Sequence, residues 1–186
     1  MRKSNQNKIN HTSSYYAATA NQKLNFSALQ ESIRTQVCII GAGFTGINTA
    51  INLAKKGYEV VVIESARVGW GASGRNGGQL ISGFTFSDKF EKEMGAQVAQ
   101  SVWELGAKAT DLVRKRIEEF NIQCDLKEGF IDVALNRIQM NELIERKKDW
   151  DRRGYGHSLT FVEKEDVTKY VNSPNYIAGL IDSGSG

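Results

Sequence analysis

A chain of 186 residues, 40% apolar and 24% charged, has the length of one domain, or one domain with part of another, and the make-up of a soluble globular protein. Its net charge of +3 comes from interleaved basic and acidic residues, so no single-sign block marks a surface for nucleic acid or an anionic membrane. Two distant cysteines exclude a disulfide framework and metal-ligand spacing. The N-terminus has no apolar signal core, and the apolar runs fall far short of the ~20 residues of a membrane span, so the expected location is the cytoplasm.

The first 33 residues are polar and predict a loosely ordered lead-in, with Tyr15, Tyr16, Leu24 and Phe26 able to dock on a surface. Residues 36–40 read as a buried strand ending in glycines. Residues 44–56 place Ile47, Ala50, Ile51 and Ala54 on one stripe of a helix, which Gly57 closes. Residues 58–63 are a β-branched second strand. One helix between two strands predicts a parallel pair with a right-handed crossover. Residues 65–83 form a long glycine-rich loop. Residues 91–120 predict one long helix, with Val98, Val102, Leu105, Ala109, Leu112 and Phe120 buried. Arg114, Lys115, Arg116, Glu118 and Glu119 should face water. A strand over 130–135, a helix over 138–153 stopped by Gly154, a strand over 159–162, a short helix over 163–171 and a strand over 176–181 complete the chain. The expected division is a polar extension over 1–34, the first part of a dinucleotide-binding domain over 35–122 and a partial second domain over 123–186. A two-stranded parallel sheet leaves a face uncovered, so the sequence reads as unfinished.

The strand Val37-Cys38-Ile39-Ile40 runs straight into Gly41-Ala42-Gly43-Phe44-Thr45-Gly46 and then into a helix. Gly41 permits the turn out of the strand, Gly43 lets backbone approach a pyrophosphate, and Gly46 lets helix pack on strand. The helix N-terminus adds free N–H groups and a positive dipole end. Glu64, 18 residues past Gly46, ends the second strand, where a carboxylate accepts from ribose hydroxyls and repels a 2′-phosphate.

The loop Arg67-Val68-Gly69-Trp70-Gly71-Ala72-Ser73-Gly74-Arg75-Asn76-Gly77-Gly78-Gln79 is the most specific segment. Structureless loops of this length usually serve a function, and Arg75 and Asn76 carry donors toward a ligand. With this loop, the glycine turn and Val60 to Ser65, the chain resembles the D-amino-acid-oxidase-like, or glycine/sarcosine-oxidase-like, FAD-dependent oxidoreductases. Gln123-Cys124-Asp125 and Gly179-Leu180-Ile181-Asp182 fit more weakly. The lead-in Ser13-Ser14-Tyr15-Tyr16-Ala17-Ala18-Thr19-Ala20-Asn21 resembles the branch that oxidises gamma-glutamylputrescine.

The resemblance implies an α/β fold: a Rossmann-like FAD-binding βαβ unit with part of an α+β substrate domain, truncated relative to a family about twice this long. It implies FAD-dependent oxidation of an amine to an aldehyde, with oxygen consumed and ammonia and hydrogen peroxide released. Gly41, Ala42, Gly43, Phe44, Thr45 and Gly46 would line the pyrophosphate. Glu64, Ser65 and Arg67 would sit by the adenosine half. Ser73, Arg75, Asn76, Gly77, Gly78 and Gln79 would run toward the flavin ring. Partners would be a small amine, oxygen and a complementary C-terminal segment. The Gly129-Phe130 pair departs from the Gly-Gly usual there, which puts the local turn in doubt. Alternatives are an FAD oxidase of another small amine or amino acid, a non-catalytic fragment and, more remotely, an NAD dehydrogenase.

No catalytic residue can be named. With only His11 and His157, no metal cluster is expected. His157 reads as a surface residue, Cys38 as a small core residue, and Trp103 and Trp150 as packing residues. Cys124 has no base near it in sequence. Trp70, in the glycine loop, is the aromatic best placed to touch a ligand.

Overall fold

A computed structural model describes residues 14–21, 24, 26–83 and 88–186, with side chains omitted for 88–90. The described residues cluster into two compact units, 1–78 and 79–186. The boundary expected near residue 122 falls inside the second unit.

In the first unit, α1 (Tyr15–Thr19) occupies part of the lead-in, capped by the Ser14 side chain accepting from Ala17 N–H. Tyr15, Tyr16, Leu24 and Phe26 are exposed, so the expected docking is not seen. Residues 1–13 lie outside the described set. The β-branched runs form β1 (Val37–Ile40) and β2 (Val60–Ile63), parallel and in register from Val37↔Val60 to Ile40↔Ile63. Between them runs α2 (Phe44–Lys55). It packs on the face that carries Ile39: a Cβ added at Gly46 would collide with the Gly41 carbonyl and touch Ile39. Alternation then sends Cys38 and Ile40 to the opposite face. Ile40 is 85% exposed. Cys38 is exposed as well, which corrects its expected place in the core. The pattern identified a strand, but not which face has a cover.

The second unit begins with a break. The expected single helix over 91–120 is two, α3 (Asp88–Met94) and α4 (Ala96–Glu119), parted by Gly95 at φ 82°. A left-handed residue ends a helix, and only glycine takes that geometry without penalty. The buried face of α4 is also turned by one residue. Ala99, Trp103, Gly106, Thr110 and Arg116 are buried, while Val98, Leu105, Leu112 and Phe120 are exposed, and so is Ala109. One residue is 100° of helix. The small Ala99, Gly106 and Thr110 allow close approach, and Thr110 buries its hydroxyl against Ser82. Arg116, expected in water, is 9% exposed.

Strands β3 (Phe130–Ala134), β4 (Leu159–Glu163) and β5 (Ala178–Asp182) form an antiparallel sheet with β5 in the centre. Helix α5 (Arg137–Arg152) covers one face and α6 (Lys164–Val167) follows β4. Asn136 caps α5 by accepting from Gln139 N–H at 3.0 Å, and Gln139 returns a bond to Leu135 N–H at 2.8 Å. The core is Ala134, Leu143, Leu159, Ala178 and Leu180, with Trp150 and Tyr155 against it. Trp103 and Trp150 both stack edge-on to Tyr155, as packing residues should. His157 is not a bare surface residue: it is partly buried and bonds Asp111 at 2.8 Å.

Candidate dinucleotide site

Gly41 leaves β1 at φ 100°, which turns the chain under the start of α2, and its N–H still reaches Ile63 O at 2.8 Å. A side chain at Gly41 would be strained, and one at Gly46 would drive α2 off the turn. Gly43 caps α2 with no side-chain bond of its own. Among the described residues the first-turn N–H groups of Thr45 and Gly46 have no acceptor. Such unpaired donors at a positive helix end suit the oxygens of a pyrophosphate.

The two glycine segments meet. Ser73, in a short 3-10 turn over Ala72–Gly74, accepts from Phe44 N–H at 2.9 Å. A Cβ on Gly43 would lie 2.9 Å from the same Oγ, so the glycine is what lets the loop in. Gly69 N–H donates to Ala42 O at 2.9 Å. Glu64 stitches the remaining side. One carboxylate oxygen accepts from Ala42 N–H at 2.8 Å and the other from Ala66 N–H at 2.9 Å, with Ser65 Oγ at 3.3 Å. The Ala42 and Ala66 amides hold its carboxyl below the ordinary glutamate range. A carboxylate has about four acceptor positions. Glu64 is exposed and keeps capacity for ribose hydroxyls while it orders the turn.

Arg75 and Asn76 have a second duty that spacing did not reveal. Arg75 Nε donates to Trp70 O at 2.8 Å, and the guanidinium lies 4.2 Å from the Trp70 ring centre. Asn76 donates to Ser73 O at 2.9 Å and accepts from Gly78 N–H at 2.9 Å. Both therefore shape the loop from inside. Trp70, singled out for a ligand, packs under Arg75. Arg67 closes a turn through its carbonyl, which accepts from Trp70 N–H at 3.0 Å, and Gly77 and Gly78 follow exposed. Gln79 begins the second unit, so the structure does not place it with the others. The backbone of Ala66 and Gly69, absent from the predicted set, contributes bonds no side-chain pattern announces.

A cavity of about 1030 Å³ lies in the second unit, walled by Trp103, Trp150, Leu180, Asp132 and Arg146. None of its walls belongs to the predicted cofactor set. Asp132 pairs with Arg146 there. Arg153 pairs with Glu91 at 2.8 Å, the bond that most raises its basicity, and with Asp149 at 2.8 Å. Burial pushes the Asp149 carboxyl up, but bonds from Arg152 and Arg153 outweigh it and leave it low. Among the described residues no group of three ligating side chains is placed to hold a metal, and no helix is long and apolar enough to cross a membrane.

Residues 36–186 match the family model described as FAD dependent oxidoreductase. The chain is 40% identical over 177 residues to the gamma-glutamylputrescine oxidoreductase of Escherichia coli, covering 95% of this chain and 41% of the relative. It is 40% identical over 178 residues to a probable oxidoreductase OrdL of Haemophilus influenzae, with the same coverages. It thus spans less than half the length of these relatives. Among solved structures it is similar in fold to an L-amino acid deaminase of Proteus myxofaciens, with a TM-score of 0.68 at 20% identity over 87% of this chain and 35% of that one. A glycine oxidase of Bacillus cereus gives 0.56 at 22% identity, over 82% and 39%. These likenesses bear out the expected α/β fold, and the family bears out FAD as the dinucleotide.

Proposed function

We propose, from the premise that this chain belongs to the FAD-dependent oxidoreductase family, that it is the adenosine-side portion of an amine oxidase acting on gamma-glutamylputrescine. The observation that supports the cofactor reading best is the bond from Phe44 N–H to Ser73 Oγ, because it brings the glycine turn and the long loop to one helix N-terminus. The substrate is drawn from the name of the Escherichia coli relative.

In this reading the α2 N-terminus, with the amides of Thr45 and Gly46, holds the pyrophosphate. Glu64, flanked by Ser65 and Arg67, receives the ribose hydroxyls. Arg75 and Asn76 shape the loop that carries Gly77 and Gly78 toward the flavin ring. When bound, FAD would supply the two-electron acceptor: the amine loses a hydride and a proton, water hydrolyses the imine to aldehyde and ammonia, and oxygen takes the electron pair with two protons to become hydrogen peroxide. The catalytic pocket is completed by a C-terminal segment, and the protein works in the cytoplasm.

The test is to purify the chain, alone and with the C-terminal segment of a relative, and to measure flavin absorbance and peroxide release. FAD should be retained, and peroxide should form with gamma-glutamylputrescine in the completed protein faster than with glycine, sarcosine or free putrescine. Retention of NAD in place of flavin would remove the cofactor reading. Equal or faster turnover of another amine would replace the substrate.

A further inference from the structure

Trp70 and Arg75 lie within the first unit, in the loop that meets the glycine turn, and they are joined twice. Arg75 Nε donates to Trp70 O at 2.8 Å, and the guanidinium stacks 4.2 Å from the centre of the Trp70 ring. The loop is anchored on the turn at two points close to this pair. Gly69, just before Trp70, donates its N–H to Ala42 O at 2.9 Å. Ser73, two residues before Arg75, accepts from Phe44 N–H at 2.9 Å. The backbones of the pair are fixed as well, since Trp70 N–H donates to Arg67 O at 3.0 Å and Arg75 N–H to Ala72 O at 3.1 Å.

Arginine carries a planar fork of N–H donors. The loop uses only the one on Nε. The N–H groups on the two Nη atoms have no acceptor among the described residues, and no carboxylate there pairs with the charge. A staple alone has no need of a charge: Asn76, in the same loop, gives to Ser73 O and accepts from Gly78 N–H with a neutral amide. An exposed arginine normally samples many rotamers and must give them up to grip an anion. This one is already held by a carbonyl and by the face of an indole, whose quadrupole attracts a cation. A fork held in one orientation can take two oxygens of a phosphate at once, and order present before binding lowers the cost of that grip.

We infer that Trp70 is a positioning residue for the cofactor: it holds Arg75 so that the Nη groups meet pyrophosphate oxygens beside the α2 N-terminus. The inference rests on the reading that the glycine turn holds a pyrophosphate, and it deepens that reading by adding a full positive charge to the amides of Thr45 and Gly46. It gives Trp70 a part in binding without contact with the cofactor.

The test titrates the 186-residue chain with FAD, ADP and adenosine, as wild type, Arg75→Met, Trp70→Leu, Trp70→Tyr and the Trp70→Leu, Arg75→Met double variant. Arg75→Met should raise the dissociation constants of FAD and ADP about tenfold, the effect of losing charge-assisted bonds at an exposed site, and leave that of adenosine, which has no phosphate, unchanged. It should also flatten the dependence of FAD affinity on salt. Trp70→Leu should raise the FAD and ADP constants about threefold, and Trp70→Tyr should restore most of the affinity because it keeps an aromatic face. With Arg75→Met already in place, Trp70→Leu should add nothing, since the ring acts through the guanidinium. A Trp70→Leu loss that persists in full in that background, or a loss as large for adenosine as for ADP, overturns the positioning role. A loss with FAD and none with ADP assigns Arg75 to the flavin half and overturns it too. Should Trp70→Leu fail to fold, Trp70→Met takes its place in the same cycle, and unchanged ADP affinity in Arg75→Met overturns the inference by itself. A wild-type chain that retains neither FAD nor ADP sinks the cofactor reading and this inference together; a wild type that binds FAD beside indistinguishable variants sinks the inference alone.

Discussion

The glycine turn of the first unit and helix α4 of the second are both places where a helix meets its neighbours closely, yet they are built on different terms. At the turn, every contact is backbone or a short side chain reaching backbone: Glu64 to Ala42 and Ala66, Ser73 to Phe44, Gly69 to Ala42. At α4, the close contact is made by whichever face fits: the one with Ala99, Trp103, Gly106 and Thr110 is buried, and the one with Val98, Leu105 and Leu112 is not. The turn is specified by residues whose conformational limits are local. The helix face is specified by what lies opposite.

Substitutions can break that contrast, and the largest effect belongs to the turn. Gly46→Val should abolish FAD retention and destabilise the first unit by more than about 4 kcal/mol, because the added Cβ meets backbone that cannot move aside. Flavin absorbance and a denaturation curve check both halves. In the second unit Leu180→Ala should cost about 2–5 kcal/mol, the usual range for emptying a core position. If the units are energetically separate, denaturant melts followed at each will show the loss only in the second.

Glu64→Gln should weaken FAD binding about tenfold and lower the melting temperature slightly at neutral pH, because the amide loses one of the two backbone donors at an exposed, solvent-screened position. Its pH dependence has a defined sign. The folded pKa is depressed, so the carboxylate's contribution is present above the unfolded glutamate value and is lost as pH falls through the lower folded value. The melting temperature of the first unit measured downward through the acidic range should therefore fall in the wild type and stay flatter in the Gln variant. The smallest effect is expected at Leu105→Lys, within about 0.5 kcal/mol in this chain, since Leu105 is 64% exposed. A large loss there would mean that the apolar stripe of α4 is covered in the protein as it works.

Much of the first unit was legible in advance. The strand, glycine turn, helix and second strand fall within a residue or two of expectation, because β-branched runs, apolar spacing and Gly57 each act over a few neighbours. Of the expected site residues, Gly43 and Phe44 meet Ser73, and Ala42 meets Glu64. What was not legible is their division of labour. Arg75 was expected as a donor to ligand, and its Nε and ring contact serve the loop itself. Cys38 was expected inside because strands of four apolar residues are usually covered on both faces, and only the face with Ile39 has α2 on it.

The amino-acid sequence by itself determined the parallel β-α-β unit, the turn at Gly41 and the helix end at Gly57, since each follows from steric limits within a few residues. Only the tertiary structure decided which face of α4 is buried, that Arg116 goes inside, and that Asp182 and Ser185 clamp the chain at Leu80. Those outcomes depend on groups up to a hundred residues apart, and on the cost of leaving any one buried polar atom unpaired, which no local pattern records.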